Sequence, residues 1–163
     1  MKTPRVGLVQ PFPDAFPSGG DLYNRRILRQ AERRRFPLHA LRHDDPGLAA
    51  PDWDLLVWDS LLLEHIARCG DERLALLLHY LPSLDPGLDE ERRAALRAME
   101  RRAIARADAV IAAGQPVAEA AIARVPGMPV HICEPGVADV FPRASTLRSP
   151  AAARLACGRR RRP

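Results

Sequence analysis

Glycine and polar residues that could bind or transfer a chemical group stand where short apolar segments of this sequence end. Ser18, Gly19 and Gly20 follow the apolar residues 6–10 and directly precede an amphipathic stretch. Glycines at the start of a helix let a ligand approach free backbone N–H groups, and the helix dipole favours an anion there. This segment predicts a phosphate-binding loop, with a flexible entry into the helix as the alternative.

His79, Asp59 and Ser83 are the other candidate site residues, because each lies at or just after the end of an apolar run. A histidine at the tip of a strand can donate a hydrogen bond or act as an acid or base, and a satisfied structural histidine is the alternative. Asp59 could face a ligand or cap the following helix through its carboxylate. Ser83 is a candidate polar residue of the same cleft.

The sequence lacks the motifs of several other common types of binding and catalytic site. The loop has no G-x-G-x-x-G fingerprint and no Gly-Lys-Ser/Thr, so neither a dinucleotide motif nor a P-loop is present. No G-x-S-x-G elbow presents a nucleophilic serine. The five histidines show no metal-ligand spacing, and we expect neither a metal nor a cofactor. The three widely spaced cysteines predict reduced thiols (Cys69, Cys133 and Cys157).

Short apolar runs alternate with longer helical patterns along most of the chain. The predicted strands are residues 6–10, 37–42, 54–59, 74–80, 109–113 and 130–133. Helices are predicted from an N-cap at Asp21 to about residue 35, over residues 60–69, from an N-cap at Asp89 to about residue 107, and over residues 116–124. This alternation predicts an α/β protein with a Rossmann-like, doubly wound, mainly parallel sheet. The carboxyl ends of its strands would bring residues 18–20, Asp59 and His79 to one edge.

The charge is divided unevenly between a domain over residues 1–142 and a tail over residues 143–163. The tail contains seven of the 25 basic residues and no acid, which leaves 18 basic against 20 acidic residues in the domain. We therefore expect no specific nucleic-acid face on the domain, and a disordered tail rich in Arg, Ala and Pro. No apolar run has the length of a membrane span, and no secretory signal is present, so the sequence predicts a cytoplasmic protein.

Four segments in this order resemble the amino-terminal domain of family 4 glycosyltransferases. Ser18-Gly19-Gly20-Asp21-Leu22-Tyr23-Asn24 resembles the glycine-rich loop and first helix, and Leu77-Leu78-His79-Tyr80-Leu81-Pro82 resembles the strand with a histidine at its tip. Arg106-Ala107-Asp108-Ala109-Val110-Ile111-Ala112-Ala113-Gly114 is similar to the family's A-D-x-V-I-x-x-S strand. Glu134-Pro135-Gly136-Val137-Ala138-Asp139-Val140-Phe141 is similar to its P-N-G-V-D-x-x-F segment, with Ala138 where the family often has Asp.

The resemblance implies one half of a GT-B architecture, in which two Rossmann-like domains face each other across a cleft. The relatives transfer a sugar from a nucleotide-sugar to an acceptor with retention and without a metal. Ser18, Gly19 and Gly20 would lie against the donor phosphates and the reacting sugar, and His79 would be the catalytic contact to that sugar. The E-x7-E motif and nucleotide pocket of the second domain have no counterpart in these residues. The half with no donor-binding domain is therefore expected to be inactive alone.

Three interpretations follow. The chain is the amino-terminal half of a glycosyltransferase, its tail being the remnant of a truncated or frameshifted second domain. Alternatively, it is a native short, non-catalytic partner subunit that completes its site with a separate donor-binding domain. The third interpretation is an unrelated small Rossmann-like nucleotide-binding protein.

Overall fold

A computed structural model describes residues 3–11, 18–49, 52–66 and 73–136 of the chain. The predicted tail, residues 143–163, and the domain boundary at residue 142 lie outside this part. The strands are β1 (Val6–Val9), β2 (Leu38–Leu41), β3 (Leu55–Asp59), β4 (Leu74–Leu78), β5 (Ala109–Ala112) and β6 (Val130–Ile132). The helices are α1 (Gly19–Arg33), α2 (Leu63–Ile66), α3 (Glu90–Arg106) and α4 (Gln115–Arg124), with short 3-10 turns at Pro46–Ala49, Ser60–Leu62 and Pro82–Leu84.

All six strands are parallel and form one sheet in the order β2-β1-β3-β4-β5-β6. The chain adds β2 on one side of β1 and then continues with β3 on the other side. This reversal creates a crevice at the carboxyl ends of β1 and β3, where ligands of open α/β sheets bind. The predicted Rossmann-like, parallel fold class is confirmed.

Helices cover both faces of the sheet, which explains why the central strands are apolar throughout. Leu74, Leu76 and Leu78 point to the face covered by α2, α3 and α4. Ala75 and Leu77 point to the opposite face, where α1 packs through Tyr23, Ile27 and Leu28. The five residues of β4 are all buried. Both faces of this strand therefore belong to the core, and only its carboxyl end can present residues to a ligand.

Two predicted boundaries differ from the structure near the crevice. The N-cap of α1 is Ser18 rather than Asp21, and Asp21 instead closes a capping box three residues into the helix. The predicted helix over residues 60–69 begins as a 3-10 turn and becomes α-helical only at Leu63; residues 67–69 lie outside the described part. Asp89 is the N-cap of α3 as predicted.

Helix α1 ends in a Schellman motif with a non-glycine residue in its left-handed position. Arg35 has a φ of 54°. Its N–H donates to the Glu32 carbonyl, and the N–H of Phe36 donates to the Ala31 carbonyl at 2.8 Å. Glycine is the usual residue at this position because it has no Cβ to clash with the backbone. Arg35 therefore stores local strain at the end of the helix that carries the candidate loop.

Candidate functional site

The imidazole of His79 lies at the carboxyl edge of the sheet, between α1 and the end of β3. Its Nε2 atom is 3.1 Å from Asn24 Oδ1 and 3.4 Å from Asp59 Oδ2. The backbone N–H of His79 donates to Ser60 Oγ at 3.1 Å. The Tyr23 ring meets the imidazole edge-on, with centroids 4.9 Å apart. Contacts from three elements thus fix both the position and the orientation of the ring.

The buried carboxylate of Asp59 sets which nitrogen of His79 carries the proton. Asp59 is fully buried, and its Oδ1 caps the following 3-10 turn by accepting from the Leu61 N–H at 2.8 Å. Its Oδ2 accepts from Asn24 Nδ2 at 2.5 Å. Because Asn24 donates through Nδ2, its Oδ1 is the atom that faces His79. Both atoms near Nε2 are therefore acceptors, so Nε2 carries a proton and Nδ1 is the ring nitrogen left for another hydrogen bond.

The amino terminus of α1 lies beside this histidine. Ser18 Oγ accepts from the Asp21 N–H at 3.2 Å, while the Asp21 carboxylate accepts from the Ser18 N–H at 2.6 Å. This capping box leaves the N–H groups of Gly19 and Gly20 without a partner among the described residues. Free N–H groups at a helix amino terminus are favourable donors to an anion.

Gly20 permits the close approach of α1 to His79. A Cβ placed on Gly20 would lie 3.3 Å from Cδ2 and 3.6 Å from Cγ of His79. A Cβ placed on Gly19 would have no heavy atom of the described part of the chain within 4 Å. The two glycines therefore differ in role: Gly20 is packed against the imidazole, whereas Gly19 faces open space in the described structure.

Tyr23 connects the site to the chain that follows β6. Its hydroxyl donates to the Cys133 carbonyl at 2.6 Å, and Arg26 Nη1 donates to the Gly136 carbonyl at 2.8 Å. Burial, together with the hydrogen bond to Cys133, raises the pKa of the Tyr23 hydroxyl above its ordinary value of 10.0. Tyr23 therefore remains a neutral donor that positions both the segment after β6 and the His79 ring.

Ser83 belongs to a different cluster of polar side chains, which also contains Glu100 of α3 and Arg124 of α4. Its hydroxyl donates to Glu100 Oε2 at 2.7 Å and accepts from Arg124, and its N–H donates to Glu100 Oε1 at 2.7 Å. Glu100 is fully buried and forms an ion pair with Arg124 at 2.6 Å. Among the described residues, the hydrogen bonds of Ser83 therefore connect it to this ion pair and to Arg93 rather than to His79.

The structure brings Gly20, Asp59 and His79 together at one sheet edge, with Ser18 and Gly19 alongside, as the parallel topology predicts. The alternative interpretation of Asp59 as a helix cap is also correct. Its Oδ1 caps the turn that follows β3, while its Oδ2 faces Asn24 and His79. Sequence reasoning missed Asn24, which is 1% exposed and links Asp59 to His79. Its position one helical turn after Gly20 places it on the same side of α1, which is the signal that could have identified it.

Three further findings bear on the type of site. Within the described ranges, no group of three histidine, cysteine, aspartate or glutamate side chains could bind a metal ion. In the same part of the chain, every helix is too short or too polar to cross a membrane. The sequence matches no model of a known protein family and no curated protein.

Proposed function

We propose that the described domain is the acceptor-side half of a glycosyltransferase of GT-B architecture that transfers a sugar from a nucleotide-sugar with retention. The observation that carries the proposal is the packing of a fixed histidine, His79, against a glycine at the amino terminus of α1. The free N–H groups of Gly19 and Gly20 suit a diphosphate, and the adjacent imidazole suits a sugar attached to it. Both lie at the edge where open α/β sheets bind ligands.

In this proposal the loop N–H groups and the histidine have different roles during sugar transfer. The acceptor oxygen forms a bond to the anomeric carbon. The bond from that carbon to the phosphate oxygen breaks with its electron pair on the diphosphate, which also takes up the acceptor's proton. The N–H groups of Gly19 and Gly20 stabilise the departing diphosphate. His79 orients the transferred sugar through Nδ1, while Asp59 and Asn24 fix the ring from behind.

A second domain is the partner that this proposal requires. The nucleoside of the donor needs a pocket opposite this edge, and the described residues provide one side of the cleft. A separate donor-binding domain added to the chain would complete it, and we expect the chain alone to bind the donor weakly and without turnover.

An amide NMR titration of the 163-residue chain with UDP-glucose and with inorganic pyrophosphate tests the proposal. Both ligands are expected to shift the amide signals of Gly19, Gly20 and Asp21, and only UDP-glucose should also shift the His79 ring signals. His79→Ala should weaken UDP-glucose binding about fivefold or more and leave pyrophosphate binding nearly unchanged, because the loop donors remain.

His131→Ala is the matched control, since His131 is exposed on the edge strand β6 and outside the site. The affinity of the His131→Ala variant for both ligands should equal that of the unmodified chain. The proposal fails if neither ligand shifts the signals of residues 18–21. If UMP binds as well as UDP-glucose and His79→Ala has no effect, the small nucleotide-binding protein becomes the better interpretation.

A further inference from the structure

A cavity separate from the site around Gly20 and His79 lies at the carboxyl edge of the sheet, between α2 and α3. Its volume is about 290 Å³, and its lining includes Leu61, Leu63, Leu96 and Met99. Leu63 is buried and belongs to the core of the α2–α4 face, while Met99 packs against it. The floor of the cavity is therefore part of the folded core and has a defined shape.

This cavity borders the backbone that carries His79, on the side of the chain opposite to the imidazole ring. Ser60 lines it and also accepts the hydrogen bond from the His79 N–H, so one hydroxyl borders both sites. Tyr80 follows His79 directly and lines the cavity too. Successive residues of an extended chain point to opposite sides. His79 contacts α1 on one side, and Tyr80 borders the cavity on the other.

Large apolar side chains at this cavity are exposed. Leu61 is 56% exposed and Tyr80 is 46% exposed. A concave site with apolar walls and a few polar groups is the usual form of a small-molecule pocket. The polar groups here are Ser60 and two side chains of α2, Glu64 and His65. The lining therefore suits a ligand that is apolar over most of its surface and carries a hydroxyl.

We infer that this cavity binds the acceptor, and that the acceptor is a small aryl alcohol. An apolar cavity of roughly 150 Å³ accommodates benzene, so about 290 Å³ accommodates one aromatic ring with a short substituent. The ring lies between Leu61, Leu96 and Met99, and the hydroxyl points toward Ser60. The role of this molecule as acceptor rests on the proposed function, whereas its binding in the cavity does not.

The probe is 2-phenylethanol, titrated into the labelled 163-residue chain, with ethanol as the probe without a ring. Amide signals of residues 60–66 and 96–99 are expected to shift with 2-phenylethanol in a saturable way and to stay unchanged with ethanol. Leu61→Ser should weaken the binding of 2-phenylethanol about fivefold, which corresponds to about 1 kcal/mol. Leu61 is exposed, so the substitution should preserve the fold, and the amide spectrum itself reports whether it does.

Ile122→Ser is the matched control, because Ile122 is 47% exposed on α4 and does not line this cavity. Its affinity for 2-phenylethanol should be unchanged. The inference is overturned if the shifts do not saturate, if they concentrate elsewhere, or if the two serine variants weaken binding equally. Saturable binding here combined with no effect of UDP-glucose at residues 18–21 would retain the aryl-alcohol site and reject the glycosyltransferase. The reverse result would reject the site alone.

Discussion

Substituting alanine at Gly20 and at Gly19 should have different effects, because only Gly20 is packed against His79. Both residues lie in the first turn of α1, where alanine should stabilise the folded state by about 0.4–1 kcal/mol through a less flexible unfolded chain. At Gly19 the new methyl group meets no heavy atom of the described residues within 4 Å, so the full gain is expected.

At Gly20 the new methyl group would lie 3.3 Å from His79 Cδ2. Carbon atoms at their optimal separation are about 3.5–4.0 Å apart, so the ring must move by a few tenths of an ångström. That movement lengthens the 3.1 Å contact from Nε2 to Asn24 and the 3.4 Å contact to Asp59. A weakened hydrogen bond costs about 0.5–1.5 kcal/mol, so Gly20→Ala should be less stable than Gly19→Ala by about that amount.

Urea unfolding followed by far-UV circular dichroism measures both free energies of unfolding. With a slope of about 1–3 kcal/mol/M, a difference of 1 kcal/mol separates the two unfolding midpoints by roughly 0.3–1 M. The His79 ring signals in an NMR spectrum should shift in Gly20→Ala and stay in place in Gly19→Ala. Equal midpoints with unchanged His79 signals would show that the imidazole does not pack against α1.

Three further predictions test other parts of the structure. Arg35→Gly should raise the free energy of unfolding by about 0.5–1 kcal/mol because it relieves the left-handed strain. Arg29→Gly, at an exposed position inside α1, should instead lower it by about 1 kcal/mol, and urea midpoints that move the same way in both variants would contradict this. Glu100→Ala should lower the free energy of unfolding by about 3–5 kcal/mol, since it leaves the mostly buried Arg124 without its carboxylate partner, and a loss below 1 kcal/mol would exclude a buried pair. The pKa of Tyr23 is raised in the folded state, so the stability from its protonated hydroxyl is complete below about pH 10 and falls as the pH rises above that value. Absorbance titration should show one late-ionising phenol that is absent in Tyr23→Phe, and simultaneous ionisation of all tyrosines would contradict it.

The strand pattern and the edge where the candidate residues meet could be predicted from the sequence. Short apolar runs such as residues 74–78 can be buried only between two layers of helices, which makes the sheet parallel. A parallel sheet then places the loop before α1, Asp59 and His79 at the carboxyl ends of β1, β3 and β4. Their closeness follows from topology and needs no knowledge of individual contacts.

Contacts that depend on side-chain geometry could not be predicted. Ser18 and Asp21 are both good N-caps, and only the backbone shows that Ser18 is the cap and Asp21 its capping-box partner. Glu100 stands between the apolar residues Met99 and Ala103 of α3, but its burial depends on Arg124, which comes from another helix. Long-range pairs of this kind have no signal in the local sequence.

A crystal structure of the chain grown with UDP-glucose is the most direct measurement of whether this edge contacts the diphosphate and the sugar of a nucleotide-sugar. We expect a diphosphate within hydrogen-bond reach of the Gly19 and Gly20 N–H groups and a glucose ring in contact with His79. A nucleotide-sugar found elsewhere would contradict it, for example in the groove of about 720 Å³ that α1 and residues 133–136 line. An empty loop at saturating UDP-glucose would contradict it equally.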